Sequence, residues 1–187
     1  MNIERKISMK RLILLAFLVA GGLGWWLAQP AVAQGKSTAH TDQTFVQLAA
    51  SGGMAEVQMG KLAAERAASP EVKQFGQRMV GDHTQANNDL LALAQAQKIS
   101  VPTALDQHHK TMADKLAALH GPEFDQAYMA GQVADHEKAV TLFTKEANEG
   151  QIPELKAFAA KTLPTLQKHW RMAKELTGKQ QGERAQR

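Results

Sequence analysis

Pro70-Glu71-Val72-Lys73-Gln74-Phe75 and Pro153-Glu154-Leu155-Lys156-Ala157-Phe158 are two versions of one hexapeptide, and their repetition decides the fold. In each, proline suits the first turn of a helix, where its missing N–H has no intrahelical bond to lose. The following glutamate complements the positive end of the helix dipole. Each hexapeptide also follows a breaker: Ser69, a natural N-cap, before Pro70, and Gly150-Gln151-Ile152 before Pro153. Each therefore marks a tight turn between two long helices.

Reading outward from the two turns, the apolar residues recur at helical spacing and no alternating, strand-like run appears. Before the first turn, Asp42 is the predicted N-cap of a helix carrying Phe45, Leu48, Ala49, Met59 and Ala63. After it, Phe75, Met79, Ala86, Leu90 and Ala94 extend a second helix to about Gln97. Gly121-Pro122 opens a third long helix with Met129, Val133, Val140, Phe143 and Ala147. A fourth, with Leu155, Phe158, Leu166, Met172, Ala173 and Leu176, contains Pro164, where a kink is expected.

Between the halves, Ile99 to Pro102 breaks the pattern, and a short helical stretch follows from about Asp106 to Leu119. Helices of about 25 residues are about 38 Å long, and a short helix plus about eight extended residues covers that distance. A simple up-down bundle needs no such connection. The predicted fold is all-α: a ferritin-like four-helix bundle of two antiparallel hairpins with one long crossover containing a short helix.

Within these apolar stripes stand four polar residues, Glu56, His83, His136 and His169, one on the inward face of each long helix. Their heights agree. Glu56 and His83 each lie 13 residues from the first turn, and His136 and His169 lie 14 and 16 residues after Pro122 and Pro153. The mismatch is about 4.5 Å of helix rise, within the reach of side chains. Single buried polar groups cost several kcal/mol each, so the four are expected to meet. One carboxylate and three imidazoles suit a single transition-metal ion, Zn, Fe, Mn or Cu. The alternative is a metal-free polar network in which the same groups hydrogen-bond one another.

Two residues neighbour this set directly. Asp82 and Asp135 are candidates to orient the histidines from behind, or else surface carboxylates, with Arg78 placed to pair with Asp82. Asp125 is expected to serve the N-terminus of its own helix, and Tyr128 to lie in the core. His108 and His109 are adjacent and face different directions, and His40 and His120 are expected to be exposed. Met54, Met59, Met79, Met112, Met129 and Met172 read as packing residues rather than a copper-binding cluster. No phosphate loop, Ser-His-Asp set or zincin motif is present, so no catalytic residue is assigned and an enzyme is not predicted.

Several spaced motifs resemble the DUF4142 family of exported bacterial proteins. They are Ala55-Glu56 with Gly60-Lys61-Leu62-Ala63, Phe75 with Met79-Val80 and Asp82-His83, Phe124-Asp125 with Tyr128 and His136, and Phe158-Ala159 with Leu163-Pro164 and His169-Trp170. The resemblance spans nearly all of residues 42–176. It implies a ferritin-like bundle and little about activity. Di-iron ferritins carry Glu-x-x-His on two helices. This chain has no such motif, which argues against iron storage or di-iron oxygen chemistry.

Of the formal net charge of +4 over 187 residues, Arg5, Lys6, Lys10 and Arg11 against Glu4 place +3 in the first 33. The remainder carries no basic patch with interleaved aromatics, so nucleic acid is not an expected partner. Cysteine is absent, which excludes disulfides, thiolate metal sites and a lipoprotein anchor.

Lys10-Arg11, the apolar stretch from Leu12 and Ala31-Val32-Ala33 read as a signal peptide over residues 1–33, cleaved after Ala33. The alternative is an uncleaved anchor, since Leu12 to Ala28 is just long enough to span. That segment is then the only membrane contact. Residues 34–41 are expected to be a disordered linker, 42–177 the bundle, and 178–187 a flexible polar tail. Self-association stays open. The expectation is an exported helical protein of envelope stress or metal handling, periplasmic or outer-membrane-associated, binding one metal ion at mid-bundle. The alternative is a metal-free structural or interaction module of the envelope.

Overall fold

The computed structural model describes residues 38–185, and the segment read as a signal peptide, 1–33, lies outside them. The described residues are all-helical. They form α1 (Thr38–Arg66), α2 (Pro70–Ala96), α3 (Gln107–Ala117), α4 (Gly121–Glu149) and α5 (Pro153–Ala185). No helix among them is long and apolar enough to cross a membrane.

The two proline turns fall where the repeated hexapeptide places them. The Ser69 side chain accepts a hydrogen bond from Val72 N and Pro70 opens α2, while Pro153 opens α5. α1 packs along α2 and α4 along α5, giving two hairpins, with α1 also against α4 and α2 against α5. Ala67 pairs with Gly121, so α1 ends where α4 begins, and Gln97 reaches Glu154, so α2 ends where α5 begins. The connection through α3 therefore runs the length of the hairpins, and α3 packs on α1 and α4.

Three boundaries differ from the sequence reading. α1 starts at Thr38, inside the segment expected to be a disordered linker, and α5 continues past Gly178 to Ala185 where a flexible tail is expected. Neither extension contains proline, and in the tail Lys, Gln, Glu and Ala, all good helix formers, outweigh Gly178 and Gly182. Asp42 is not the N-cap of α1. It lies buried within that helix, and its carboxylate accepts hydrogen bonds from Gln151 N at 3.0 Å and Ile152 N at 3.0 Å. It serves the α4–α5 turn.

Asp125 behaves in the same way. Instead of serving its own helix, its carboxylate accepts from Ala68 N at 3.0 Å and Ser69 N at 2.8 Å, in the α1–α2 turn. Each hairpin thus supplies an aspartate that satisfies the free amides at the other hairpin's turn. The two clamps are 83 residues apart, Asp42 to Asp125, and so are the hexapeptides, Pro70 to Pro153.

Hydrophobic residues gather in two clusters. One holds Met59, Phe75, Met79, Phe124, Tyr128 and Met129, towards the α1–α2 turn. The other holds Phe45, Leu90, Phe143, Leu155, Phe158 and Leu166, towards the α4–α5 turn. α1 and α2 approach closely at a pair of glycines. A Cβ on Gly76 would lie 2.7 Å from the Gly60 carbonyl oxygen and 2.6 Å from the Ala63 Cβ. Only glycine fits that backbone contact.

Gly76→Ala is accordingly expected to lower the unfolding free energy by about 1–3 kcal/mol through overpacking. Asp125→Ala, which strands two turn amides, is expected to cost a similar amount, about 1–3 kcal/mol. Urea denaturation reads both. An unchanged midpoint in either variant would remove the role assigned to that residue.

Candidate metal centre

Between the two hydrophobic clusters lies a polar layer. His83 on α2, His136 on α4 and His169 on α5 are 8%, 1% and 1% exposed, and one nitrogen of each ring lies within 4.8 Å of the others'. The ring centroids are 5.7, 5.5 and 5.4 Å apart, so the three imidazoles form a closed triangle. Helical phase explains the convergence. Phe75, Met79 and His83 descend one face of α2 in four-residue steps, as Tyr128, Gln132 and His136 do on α4.

Two of the rings are fixed from behind. His136 Nδ1 donates to the Gln132 carbonyl oxygen at 3.1 Å, which leaves Nε2 as the free lone pair. His169 Nε2 donates to the Asp82 carboxylate at 2.8 Å, which leaves Nδ1 free. These two free nitrogens and His83 Nε2 are buried and have no hydrogen-bond partner. Two free lone pairs and His83 Nε2, which either donates or accepts according to its tautomer, are thus gathered at one place, and a cation binds all three once His83 carries its proton on Nδ1. Bonds of about 2.1 Å from imidazole to metal require nitrogens about 3.4 Å apart in a tetrahedral site. Small rotamer adjustments separate that spacing from the observed one.

Glu56 stands beside this set rather than in it. Among the described residues the converging group is the three histidines alone. The Glu56 carboxyl accepts from the Gln132 side-chain amide at 2.7 Å, and its other oxygen lies 3.8 Å from His136 Nδ1, the nitrogen already turned outward. The expected four-ligand cluster is therefore three histidines with a carboxyl behind one of them. Gln132, 1% exposed, is the residue the sequence reading missed; its four-residue step from His136 was the available signal.

Asp82 takes the orienting position open to it, facing His169 instead of pairing with Arg78. Asp135 does not join it. Its carboxylate lies 3.7 Å from His108 and 3.5 Å from Lys138, largely buried on the side of α4 that faces α3. His109 binds Asp106 at 2.7 Å, and Ser51 ties Asp106 to α1 at 2.9 Å. Burial opposes the Asp106 charge, but these hydrogen bonds and the His109 backbone amide outweigh it and hold its pKa down to about 2. His120 is exposed and meets Arg66 at 2.8 Å. His40 lies outside the described side chains. Met59, Met79 and Met129 are packed in the hydrophobic cluster.

Burial keeps the histidines neutral. It lowers the pKa of His136 and His169 to about 4, against partial support from the Gln132 carbonyl and from Asp82 respectively, and it pushes His83 well below the ordinary 6.5. Neutral imidazole is the ligating form. Burial also raises Glu56 to about 8, so it is chiefly protonated at neutral pH.

The profile of the Domain of unknown function family, DUF4142, matches residues 27–176. The chain belongs to the DUF4142 family. No curated protein matches it. Among solved structures, one described as "CopM in the Cu(II)-bound form" has the same fold. Its TM-score is 0.63 at 20% identity, and the match covers 74% of this chain and 96% of that one. At that identity the likeness is one of fold alone. This DUF4142 chain therefore has a known relationship, a known helical architecture and a histidine site described by its own geometry.

Titration of the layer sets how stability depends on pH in chelator-treated protein. The three histidines have folded pKa values below 6.5. Their contribution is fully present above pH 6.5 and lost as pH falls towards about 4. Glu56 and Glu146 run oppositely. Their folded values of about 8 and about 7 exceed the ordinary 4.5, so their contribution is lost as pH rises through 7 and 8. Stability is expected to peak between about pH 6 and 7, and Glu56→Gln to flatten the alkaline arm. Urea midpoints across pH 4.5–9 check this; a profile still falling steeply above pH 7 in the variant contradicts it.

Proposed function

We propose that this protein is an exported metal-binding protein that holds one transition-metal ion through His83, His136 and His169. One observation carries the reading: three buried imidazole nitrogens converge without a single hydrogen-bond partner among them. Without a metal, His83 Nε2 as donor serves one of the two free lone pairs at best, and the other stays unsatisfied at a cost of about 1–3 kcal/mol. A bound cation removes that cost.

The donor set narrows the ion. Three imidazoles suit copper, zinc or iron, whereas manganese favours carboxylate-rich sites. The Cu(II)-bound state named for the structural neighbour favours copper first and zinc second. Asp82 and the Gln132 carbonyl hold the ligands in the ligating tautomer, Glu56 braces His136, and Asp135 has no part in binding. The helix order, with α3 in the long crossover, supports the ferritin-like one-crossover bundle as the scaffold. Residues 1–33 supply the export signal, cleaved after Ala33, which places the site in the periplasm or at the outer membrane. Its role there is metal handling or defence against metal stress, by binding rather than by catalysis.

Metal analysis of untagged protein offered Cu, Zn, Fe and Mn tests this directly. One equivalent of copper or zinc is expected, with nitrogen hyperfine structure in the Cu(II) electron paramagnetic resonance spectrum. His83→Ala is expected to weaken binding at least 100-fold, and Asp82→Ala by about 10–100-fold. Absence of stoichiometric metal returns the site to a metal-free polar core. Retention of full affinity in His83→Ala overturns the ligand assignment.

A further inference from the structure

A cavity of about 380 Å³ adjoins the histidine layer, within the range of small-molecule sites. His83, His136 and Glu56 form its inner end, and His169 lies behind them, outside the lining. Its walls are apolar, with Leu90, Leu142, Phe143, Phe158 and Leu166 prominent. The rim comes from the α3 segment and α4, where Asp106 is held by hydrogen bonds from His109 and Ser51 and Asp135 lies beside Lys138.

We propose that this cavity binds a small neutral molecule with an apolar body and one nitrogen or oxygen donor, the donor completing the coordination of the ion held by the three histidines. The inference rests on the metal reading above. Three protein ligands leave a four-coordinate ion one exogenous position. Two of the three ligating rings line the cavity, and we place the fourth position on that side. Water is a poor occupant of the chamber, because its apolar walls offer few hydrogen bonds. The rim carboxylates, Asp106 and Asp135, outnumber the rim cation Lys138 and disfavour an anion, while a metal ion at the inner end disfavours a cation. Apolar walls leading to one coordinating end instead match a molecule that is apolar at one end and a donor at the other.

The test uses the full mature protein loaded with one equivalent of Cu(II), with metal content measured first. 4-Phenylimidazole and imidazole share a donor and differ in the apolar body. Both are followed by visible absorption and by electron paramagnetic resonance, with retained copper measured after gel filtration. 4-Phenylimidazole is expected to saturate at one equivalent and to bind at least about tenfold tighter than imidazole, because its ring is buried in the cavity. Ala139→Phe, which fills the chamber from α4, is expected to abolish that preference while copper stoichiometry and the imidazole response persist. Ala86→Leu fills it from α2 and gives the same reading where the first variant folds poorly.

Equal affinity for the two ligands, a preference surviving both fillings, or copper stripped from the protein overturns the proposal. Failure to bind either copper or zinc overturns the metal reading with it. Copper bound without a ligand response overturns this inference alone.

Discussion

Asp42 and Asp125 each reach from one hairpin into the turn of the other, and the register of the whole structure follows from that exchange. A helix can slide along its neighbour by one turn, about 5.4 Å, without losing its apolar stripe. Hydrophobic burial alone therefore fixes faces better than heights. The carboxylates do not permit such a slide, because each is matched to two particular backbone amides. With α1 locked at one end of the pair and α4 at the other, His83, His136 and His169 come to one level. A one-turn slip would carry a ring out of the triangle.

That level is where the two hydrophobic clusters meet, and its position has an electrostatic consequence. Fully apolar surroundings above and below disfavour every charge in the layer. The imidazoles stay neutral and Glu56 stays protonated, so the layer tolerates burial without any ion pair. The free nitrogens of the three histidines face one another there, and Gln132 Oε1 beside them is likewise buried without a partner. Ligand preorganisation of this kind needs little rearrangement on binding. The outward hydrogen bonds to Gln132 and Asp82 already hold the tautomers that binding requires.

Most of this architecture was legible in the sequence because helices advertise faces. The hexapeptide repeat located both turns, and the i, i+4 steps through Phe75, Met79 and His83 put the histidine inward. Residue counts from each turn put the polar groups at one height. What periodicity does not encode is which atom of an inward side chain meets which partner. Glu56 has the right face and height, yet its carboxyl is engaged by Gln132, a residue whose polar character on an apolar stripe looks unremarkable. Asp42 reads as a helix start because capping is a local signal, whereas its real partners lie 109 and 110 residues away. Asp82 and Asp135 are indistinguishable by pattern, each preceding a histidine, and only the neighbouring helices decide that one faces His169 and the other His108.

The 83-residue correspondence explains why a symmetric scaffold holds an asymmetric site. Positions that stabilise both hairpins agree under it: Asp42 with Asp125, Phe45 with Tyr128, Pro70 with Pro153, Phe75 with Phe158. The histidines do not. His136 corresponds to Gly53, His83 to Leu166 and His169 to Ala86. All three counterparts line the cavity beside the layer. Where one set of positions carries ligands, the matching set carries two small side chains and an apolar one. The histidines thus stand together in the layer while their counterparts line the adjoining cavity. The candidate metal site and the chamber beside it share one departure from symmetry. The α3 crossover, tied to α1 through Ser51 and Asp106, supplies the rim of that chamber, a feature the repeat itself does not contain.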